Sequence, residues 1–275
     1  MSDAGRILGT LSALLGLAAC GGDQQSTGSA GDHAVQTAPL GIPKSGSDSG
    51  LPRVLVDASR DGGVWWFPQG TPGTPFSGTD YHQGQPLADS LRSLGYVVEE
   101  LPRPFAITDS LLASYAIVIR AIGFGTYSAR EVAAYKGFVE RGGKLLLLAD
   151  HMKYAPPDGI ALAFGIDFRG ITRGGNSLNT FAEHAITQGL EPLTYLVGSG
   201  IVSHPASATI VGWLSRDSYL DLDKDGARGP TEPAAPAALG VMPYGEGRIV
   251  FCGDVYPWEL VSQPLVRNVL RWFKD

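Results

Sequence analysis

The sequence predicts an α/β fold with a mostly parallel central sheet, and three observations support it. Short apolar segments alternate with segments of helical periodicity between residues 53 and 149. The segment 145–149 (LLLLA) is apolar without a break, which is typical of a strand covered on both faces. Gly142 and Gly143 precede it and end a helix, and Asp150 and His151 follow it. Strand and helix alternating at this spacing indicate right-handed crossovers between parallel strands.

The first half of the predicted domain contains four strands and three helices. The strands are expected at 53–57, 96–101, 116–122 and 144–149. Pro86 opens the first helix and Gly95 closes it, because proline suits the first turn and glycine the end of a helix. The second helix is short, at 108–114. Ser128 and Glu131 have the spacing of a capping box and open the third helix.

The pattern is looser after His151. A short helix is predicted at 159–164, and further strands at 209–214, 236–243 and 247–252. The last two are separated by a Tyr-Gly-Glu-Gly turn, which is typical of a hairpin. A final helix begins after Ser262, a residue suited to capping it, and its apolar side chains recur at helical spacing.

The first 51 residues are predicted to lie outside the folded domain. Residues 7–19 are apolar but short for a membrane span, as in a signal peptide. They lead into Leu17-Ala-Ala-Cys20, which resembles the bacterial lipoprotein signal, whose cysteine is lipidated after cleavage. We therefore expect a signal peptide at 1–19, lipidation at Cys20, a flexible tether at 20–51 and one α/β domain at 52–275.

The predicted location is the bacterial cell envelope, outside the cytoplasm, where the lipid anchor attaches the protein to a membrane. An ordinary cleaved signal with an incidental cysteine is the alternative. The pattern does not choose between the inner and the outer membrane. The net charge of −6 and the lack of a basic run argue against nucleic acid as a partner.

Four segments carry a family resemblance: GGKLLLLADH at 142–151, FGIDF at 164–168, HAITQGL at 184–190 and YGEGRIVFCGDVYPWE at 244–259. Their spacing resembles the class I glutamine amidotransferase-like superfamily. The chain is similar to its non-amidotransferase branch, which includes gliding-motility ABC-transporter accessory proteins and ThuA-like proteins. The resemblance implies a flavodoxin-like three-layer sandwich. His184 would mark a structural turn that opens a helix.

The chain departs from that superfamily at the nucleophile. True amidotransferases present a cysteine at a tight turn between strand and helix, whereas this chain has Asp150 and His151 at the corresponding strand end. Cys252, the only cysteine of the predicted domain, lies within an apolar strand, where a buried small side chain is expected. Glutamine hydrolysis is therefore disfavoured, and we expect the domain to be noncatalytic.

Four residues at predicted strand ends form the candidate rim site: Asp57, Asp150, His151 and Asp254. If the strands are parallel, these side chains converge at one edge of the sheet. They could bind a divalent metal and its activated water, or one carboxylate could orient His151 as a general base. Architecture is the alternative, since aspartate after a strand often caps a helix or binds loop amides.

A second acidic pattern, at 221–232, fits the calcium-loop consensus D-x-[DN]-x-[DN]-G-x5-E in full. Its predicted ligands are Asp221, Asp223, Asp225, the carbonyl oxygen of Ala227 and a bidentate Glu232. The flanks are not the paired helices of an EF-hand, so a structural Ca²⁺ that staples a loop is expected. An acidic turn without metal is the alternative.

The residues leave three functions open. The first is a lipid-anchored binding or accessory module that serves an envelope protein complex or a glycan, and the aromatic loop 64–67 could stack on sugar rings or fold against the sheet. The second is a metal-dependent hydrolase at the rim site. The third is a purely structural envelope protein.

Overall fold

A computed structural model describes residues 50–60, 84–101, 105–121, 125–150, 157–175, 177–259 and 263–275. These residues belong to one compact unit that spans 48–275. The predicted signal peptide, Cys20, the tether before residue 50, the aromatic loop, His151 and Ser262 lie outside the described residues. None of the described helices is long and apolar enough to cross a membrane.

The described chain forms thirteen strands and six α-helices. The strands are β1 (Arg53–Asp57), β2 (Val97–Leu101), β3 (Ile117–Ala121), β4 (Lys144–Leu148), β5 (Asp167–Arg169), β6 (Ile171–Arg173), β7 (Ser177–Phe181), β8 (Leu193–Thr194), β9 (Gly200–Ser203), β10 (Thr209–Leu214), β11 (Tyr219–Asp221), β12 (Ala237–Tyr244) and β13 (Gly247–Cys252). The helices are α1 (Gln85–Ser93), α2 (Asp109–Leu112), α3 (Ala129–Glu140), α4 (Gly159–Ala163), α5 (Tyr256–Glu259) and α6 (Gln263–Lys274). Each strand and helix predicted for residues 53–149 is confirmed to within a few residues.

Nine strands form one mixed sheet in the order β2-β1-β3-β4-β13-β12-β10-β7-β8. The first five strands in this order are parallel to one another. The remaining pairings are antiparallel. The prediction of a mostly parallel, flavodoxin-like sheet is therefore corrected to a large mixed sheet of which one half is parallel.

The physical reason for the correction lies in the hairpin between β12 and β13. Gly245, at a φ of +57°, makes the tight turn that reverses the chain. Because β13 runs parallel to β4, its hairpin partner β12 must run antiparallel to both. β10, β7 and β8 then extend the sheet by antiparallel pairing. The short, polar segments of β7 and β8 carry little strand signal in the sequence.

Two apolar cores cover the two faces of the sheet. One core joins the side chains of Val54 and Val250 to helices α1, α5 and α6. The other joins Leu55 and Phe251 to helices α2, α3 and α4. Helices therefore lie on both faces of the parallel half, which explains the apolar runs within β1, β3, β4 and β13.

Side-chain caps fix the beginnings of α3 and α4. The predicted capping box is confirmed: Ser128 Oγ accepts the amide of Glu131 at 3.3 Å, and Glu131 Oε2 accepts the amide of Ser128 at 2.9 Å. Asp158 caps α4 by accepting the amides of Ile160 and Ala161, each at 3.1 Å. Both caps hold the helices against one face of the sheet.

The hairpin provides a test of the packing. An added methyl group at Gly247 would collide with the carbonyl oxygens of Val139 and Gly143, which are backbone atoms and cannot rotate away. We expect Gly247→Ala to lower the free energy of unfolding by about 3 kcal/mol or more. Urea unfolding followed by circular dichroism measures the change.

Gly159→Ala is the matched control. Gly159 lies in α4, is exposed, and has no atom within 4 Å of an added methyl group. Alanine in a helix is favoured over glycine by about 0.5–1 kcal/mol, so this variant should be as stable as the parent or slightly more so. Equal losses in the two variants would contradict the described packing of β13 on α3.

Candidate functional site

The strand order places a topological switch point between β1 and β3. The chain leaves β1 toward β2 on one side, whereas β3 and β4 continue the sheet on the other side. In open α/β sheets the crevice outside the carboxyl ends of such strands is the usual ligand site. Asp57 ends β1, and its register partner on β3 is Arg120.

Asp57 is buried and fully hydrogen-bonded. Its Oδ1 accepts the amide of Ser59 at 3.0 Å and the hydroxyl of Ser59 at 2.5 Å. Its Oδ2 accepts the hydroxyls of Tyr127 at 2.9 Å and Tyr135 at 2.6 Å. Burial, followed by the charge of Asp57, holds the pKa of each tyrosine well above its ordinary value. Both hydroxyls therefore stay protonated and donate to the carboxylate.

Two arginines extend the hydrogen-bond network around Asp57. Arg120, only 1% exposed, forms an ion pair with Asp158, the residue that caps α4. Arg60 donates from Nη2 to Glu131 Oε1 at 2.8 Å, and its guanidinium lies 4.9 Å from the centre of the Tyr127 ring. The charges at the switch point are thus paired with one another, and the sheet is tied to helices α3 and α4 through them.

Asp254 lies in a second cluster, beyond the end of β13. Its Oδ2 accepts the amide of Leu196 at 2.8 Å, and its Oδ1 accepts the amide of Tyr256 at 3.1 Å. The side chain is 2% exposed. Burial raises its pKa to about 6, and the charge of Asp150 adds to the increase while the backbone amides oppose it. Asp150 and Asp254 therefore share one electrostatic environment.

Contacts with the loop 195–199 explain why Gly253 and Asp254 follow β13. The amide of Ser199 donates to the carbonyl oxygen of Gly253 at 2.8 Å, and Tyr195 donates from its hydroxyl to Ser199 O at 2.5 Å. A methyl group at Gly253 would collide with Ser199 O. Glycine is needed here because the loop backbone packs directly on it, and Asp254 binds the same loop. This is an architectural role.

The structure does not bring Asp57 together with Asp150 and Asp254. Asp57 contacts Tyr135 in one core, whereas Asp254 lies beside Tyr195 in the other core, across the sheet. Asp57 and Asp150 are two strands apart and three residues out of register, so their Cα atoms are about 14 Å apart by ordinary strand spacing. Metal–oxygen bonds of 2.0–2.6 Å cannot join them through one ion. The predicted convergence of the rim acids is corrected to two separate clusters.

Two further predicted residues have structural roles. Cys252 is fully buried, and burial raises its pKa to about 12, so the thiol is a small apolar group and no nucleophile. His184 opens the 3-10 helix Ala185–Thr187 by accepting the amide of Ile186 on Nδ1 at 3.2 Å. Burial lowers the pKa of His184. Both observations agree with the expectations from sequence.

The acidic pattern at 221–232 forms a compact loop after β11. One carboxylate oxygen from each of Asp221, Asp223 and Asp225 lies within 4.8 Å of the others. The chain turns sharply at Lys224 and Gly226, whose φ angles are +67° and +85°. The carboxylates of three of the five ligands predicted from the sequence therefore lie together in the structure.

Glu232 takes another position in the loop. Glu232 does not join the three-aspartate group; its two oxygens accept the amides of Leu222 at 2.6 Å and Gly229 at 2.8 Å. The predicted bidentate ligation by Glu232 is replaced by a clamp that joins the two ends of the loop. The amide of Ala227 donates to Asp225 Oδ1 at 2.7 Å, and ligation by the carbonyl oxygen of Ala227 stays a prediction.

Sequence reasoning found the acids of these clusters and missed their partners. Tyr127, Tyr135 and Asp158 come from loops and helices far from Asp57 in sequence, and no local pattern links them to it. Leu196, which binds Asp254, lies in a segment without recognisable periodicity. The sequence signal that identified these acids was an aspartate directly after an apolar strand.

Solved structures similar to this one share its fold. The mmIFT52 N-terminal domain is 15% identical, with a TM-score of 0.58, covering 81% of this chain and 97% of that domain. The cytoplasmic protein STM3548 from Salmonella typhimurium is also 15% identical, with a TM-score of 0.53, covering 81% of this chain and 98% of that one. At these identities the similarity establishes the α/β fold and nothing about activity.

Two further comparisons involve proteins of named classes. A β-galactosidase from the haloarchaeon Halorubrum lacusprofundi is 18% identical with a TM-score of 0.50, covering 82% of this chain and 30% of that one. A ThuA-like protein from Bacteroides uniformis is 12% identical over 85% of this chain and 95% of that one, but its TM-score of 0.44 is too low to support a relationship. No family model and no curated protein matches the sequence.

The pKa of Asp254 leads to a testable pH dependence. Because its folded pKa of about 6 exceeds the ordinary 3.8, the folded state binds the proton more tightly than the unfolded state. The associated stability is complete below about pH 4 and is lost as the pH rises through 6. Urea unfolding between pH 4 and pH 7 should show a fall of roughly 3 kcal/mol from this group.

The variant Asp254→Asn isolates that contribution, because asparagine does not titrate. The difference in unfolding free energy between parent and variant should change by the same amount over this pH range. Exposed Asp217→Asn serves as the control and should leave the pH profile of the parent unchanged. A parent-minus-variant difference that is flat with pH would contradict the raised pKa of Asp254.

Proposed function

We propose that the protein is a lipid-anchored protein of the bacterial cell envelope whose α/β domain is a noncatalytic binding or accessory module of the class I glutamine amidotransferase-like type. The lipoprotein-like pattern ending at Cys20 supports the anchor, and the four sequence segments quoted above support the family. The mixed α/β fold is compatible with this proposal.

The observation that carries the proposal is that the strand-end carboxylates of Asp57 and Asp254 accept hydrogen bonds from the protein itself on both oxygens. Asp57 accepts hydrogen bonds from Ser59, Tyr127 and Tyr135, and Asp254 accepts two backbone amides. A general base or metal ligand needs free lone pairs that point toward a substrate. These carboxylates instead hold loops and helices in place, as expected of a rigid binding surface.

Exposed apolar side chains at the carboxyl edge of the parallel strands support a binding role there. The described chain enters β1 at its amino end, at Arg53, and the carboxyl ends of the parallel strands lie at the far edge. That edge carries Leu196 and Val197, which are 43% and 41% exposed. Exposed apolar side chains beside a rigid loop suit contact with an envelope protein or a glycan.

One observation favours a second function, a metal-dependent hydrolase. Asp150 and Asp254 form a pair of neighbouring carboxylates, and the raised pKa of Asp254 is a property of catalytic acids. The candidate catalytic residues would then be these two carboxylates and His151. Asp57 belongs to the other cluster and would not take part.

Lipidation is tested by metabolic labelling with an alkyne fatty acid in a bacterial host. The parent protein should be labelled and recovered with membranes, whereas Cys20→Ala should lose the label completely. Cys252→Ala is the matched control, because the chain has only these two cysteines. Because Cys252 is buried, its replacement by alanine should leave the labelling unchanged. Label retained in Cys20→Ala would refute the anchor.

Catalysis is tested with the full-length protein in detergent. The substrates are glutamine and the p-nitrophenyl esters, phosphates and glycosides. The parent protein should turn over each of them no faster than Asp254→Asn does, with or without divalent cations. Metal-dependent turnover by the parent that falls at least tenfold in Asp254→Asn would contradict the noncatalytic proposal and support the hydrolase. The exposed variant Asp217→Asn controls for nonspecific effects of charge.

A further inference from the structure

The loop that follows β11 contains a buried carboxylate oxygen without a hydrogen-bond partner among the residues that the structure describes. Asp221 is 0% exposed, and its Oδ1 accepts no hydrogen bond from the described residues. Its Oδ2 accepts Arg173 Nε at 3.1 Å and the amide of Gly226 at 3.2 Å. A buried charged oxygen without a partner costs the free energy of its lost hydration, so it requires a cation or water.

Asp221 lies beside two exposed acids, Asp223 and Asp225. Oxygens of Asp223 and Asp225 lie within 4.8 Å of one another and of an oxygen of Asp221. This spacing is compatible with several bonds of 2.3–2.6 Å to one central ion. Arg173 forms an ion pair with Asp221 Oδ2 and compensates one of the three negative charges.

The loop is already folded into a shape that keeps these oxygens together. The amide of Asp225 donates to Asp223 Oδ1 at 3.2 Å, and the hydroxyl of Tyr219 donates to the carbonyl oxygen of Gly226 at 2.9 Å. Glu232, 6% exposed, joins the beginning and the end of the loop through its two accepted amides. Little reorganisation is needed for an ion to bind, which favours affinity.

From these observations we infer that residues 221–225 bind a Ca²⁺ ion, with Asp221, Asp223 and Asp225 as the carboxylate ligands and Glu232 as the clamp of the loop. An all-oxygen donor set is suited to hard cations and unsuited to zinc, for which nitrogen and sulfur ligands are typical. Ca²⁺ tolerates the irregular geometry of a loop better than Mg²⁺ does. The ion stabilises the β11–β12 connection, and this role is independent of the proposed binding function.

The test uses the full-length protein, stripped of metal with EGTA and titrated with CaCl₂ by calorimetry. We expect a single site with a Kd of roughly 10⁻⁵ to 10⁻³ M. At a hundredfold excess of Ca²⁺ over the Kd, the Tm should rise by roughly 5 °C or more. Mg²⁺ should bind at least tenfold more weakly. The absence of binding heat and of a Tm shift at 10 mM CaCl₂ would overturn the proposal.

The double variant Asp223→Asn/Asp225→Asn locates the ion. Both side chains are exposed, and asparagine oxygens can still accept the loop amides, so the fold should be kept while two charges are removed. We expect the Kd for Ca²⁺ to rise at least tenfold, whereas the Tm in EGTA stays within a few degrees of the parent. The control Asp217→Asn/Glu191→Gln removes two exposed acids outside the loop and should retain the affinity of the parent. Equal Kd values for the two double variants would overturn the assignment.

Discussion

The pairing of β13 with β4 on one side and with β12 on the other is the constraint on which the whole sheet depends. Its parallel side completes the set of strands that helices cover on both faces, and its antiparallel side begins the extension through β10, β7 and β8. A parallel neighbour requires a long connection, and the chain uses residues 149–246 for it. That connection contains the antiparallel strands themselves, so the second half of the domain is built within the crossover that joins β4 to β13.

Buried charge then fixes how the layers sit on the parallel half. Asp57 comes from the sheet, Tyr135 from α3 and Asp158 from the cap of α4, and all three belong to the network around Arg120. Such a network adds little net stability, since the charges lose hydration when they are buried. Removing one partner, however, leaves an uncompensated charge in the core. The network therefore restricts the helices to one arrangement above the strand ends and keeps the switch point rigid.

The sequence predicted the parallel half well because its signals are local. Apolar runs, glycine pairs and one capping box specify β1, β3, β4 and α3 directly, and each requires only the residues nearby. The mixed character of the sheet escaped prediction, because β7 (SLNTF) and β8 (Leu193–Thr194) are short and mostly polar. Their strand conformation depends on pairing with β10, which is a tertiary contact. The predicted convergence of the rim acids was wrong for the same reason. An aspartate at a strand end is visible in the sequence, but the face of the sheet on which its side chain lies and its hydrogen-bond donors depend on tertiary contacts.

The buried aspartates of this domain differ in one respect that decides their roles. Asp57 and Asp221 are equally buried, at 1% and 0% exposure. Asp57 has donors on both oxygens, from Ser59 and two tyrosines, so the protein itself supplies everything that its charge requires. Asp221 has donors on one oxygen only. One carboxylate is satisfied completely by the protein, whereas the other is left with an unpaired oxygen beside two further acids, and this difference is the basis for the cation site inferred at Asp221.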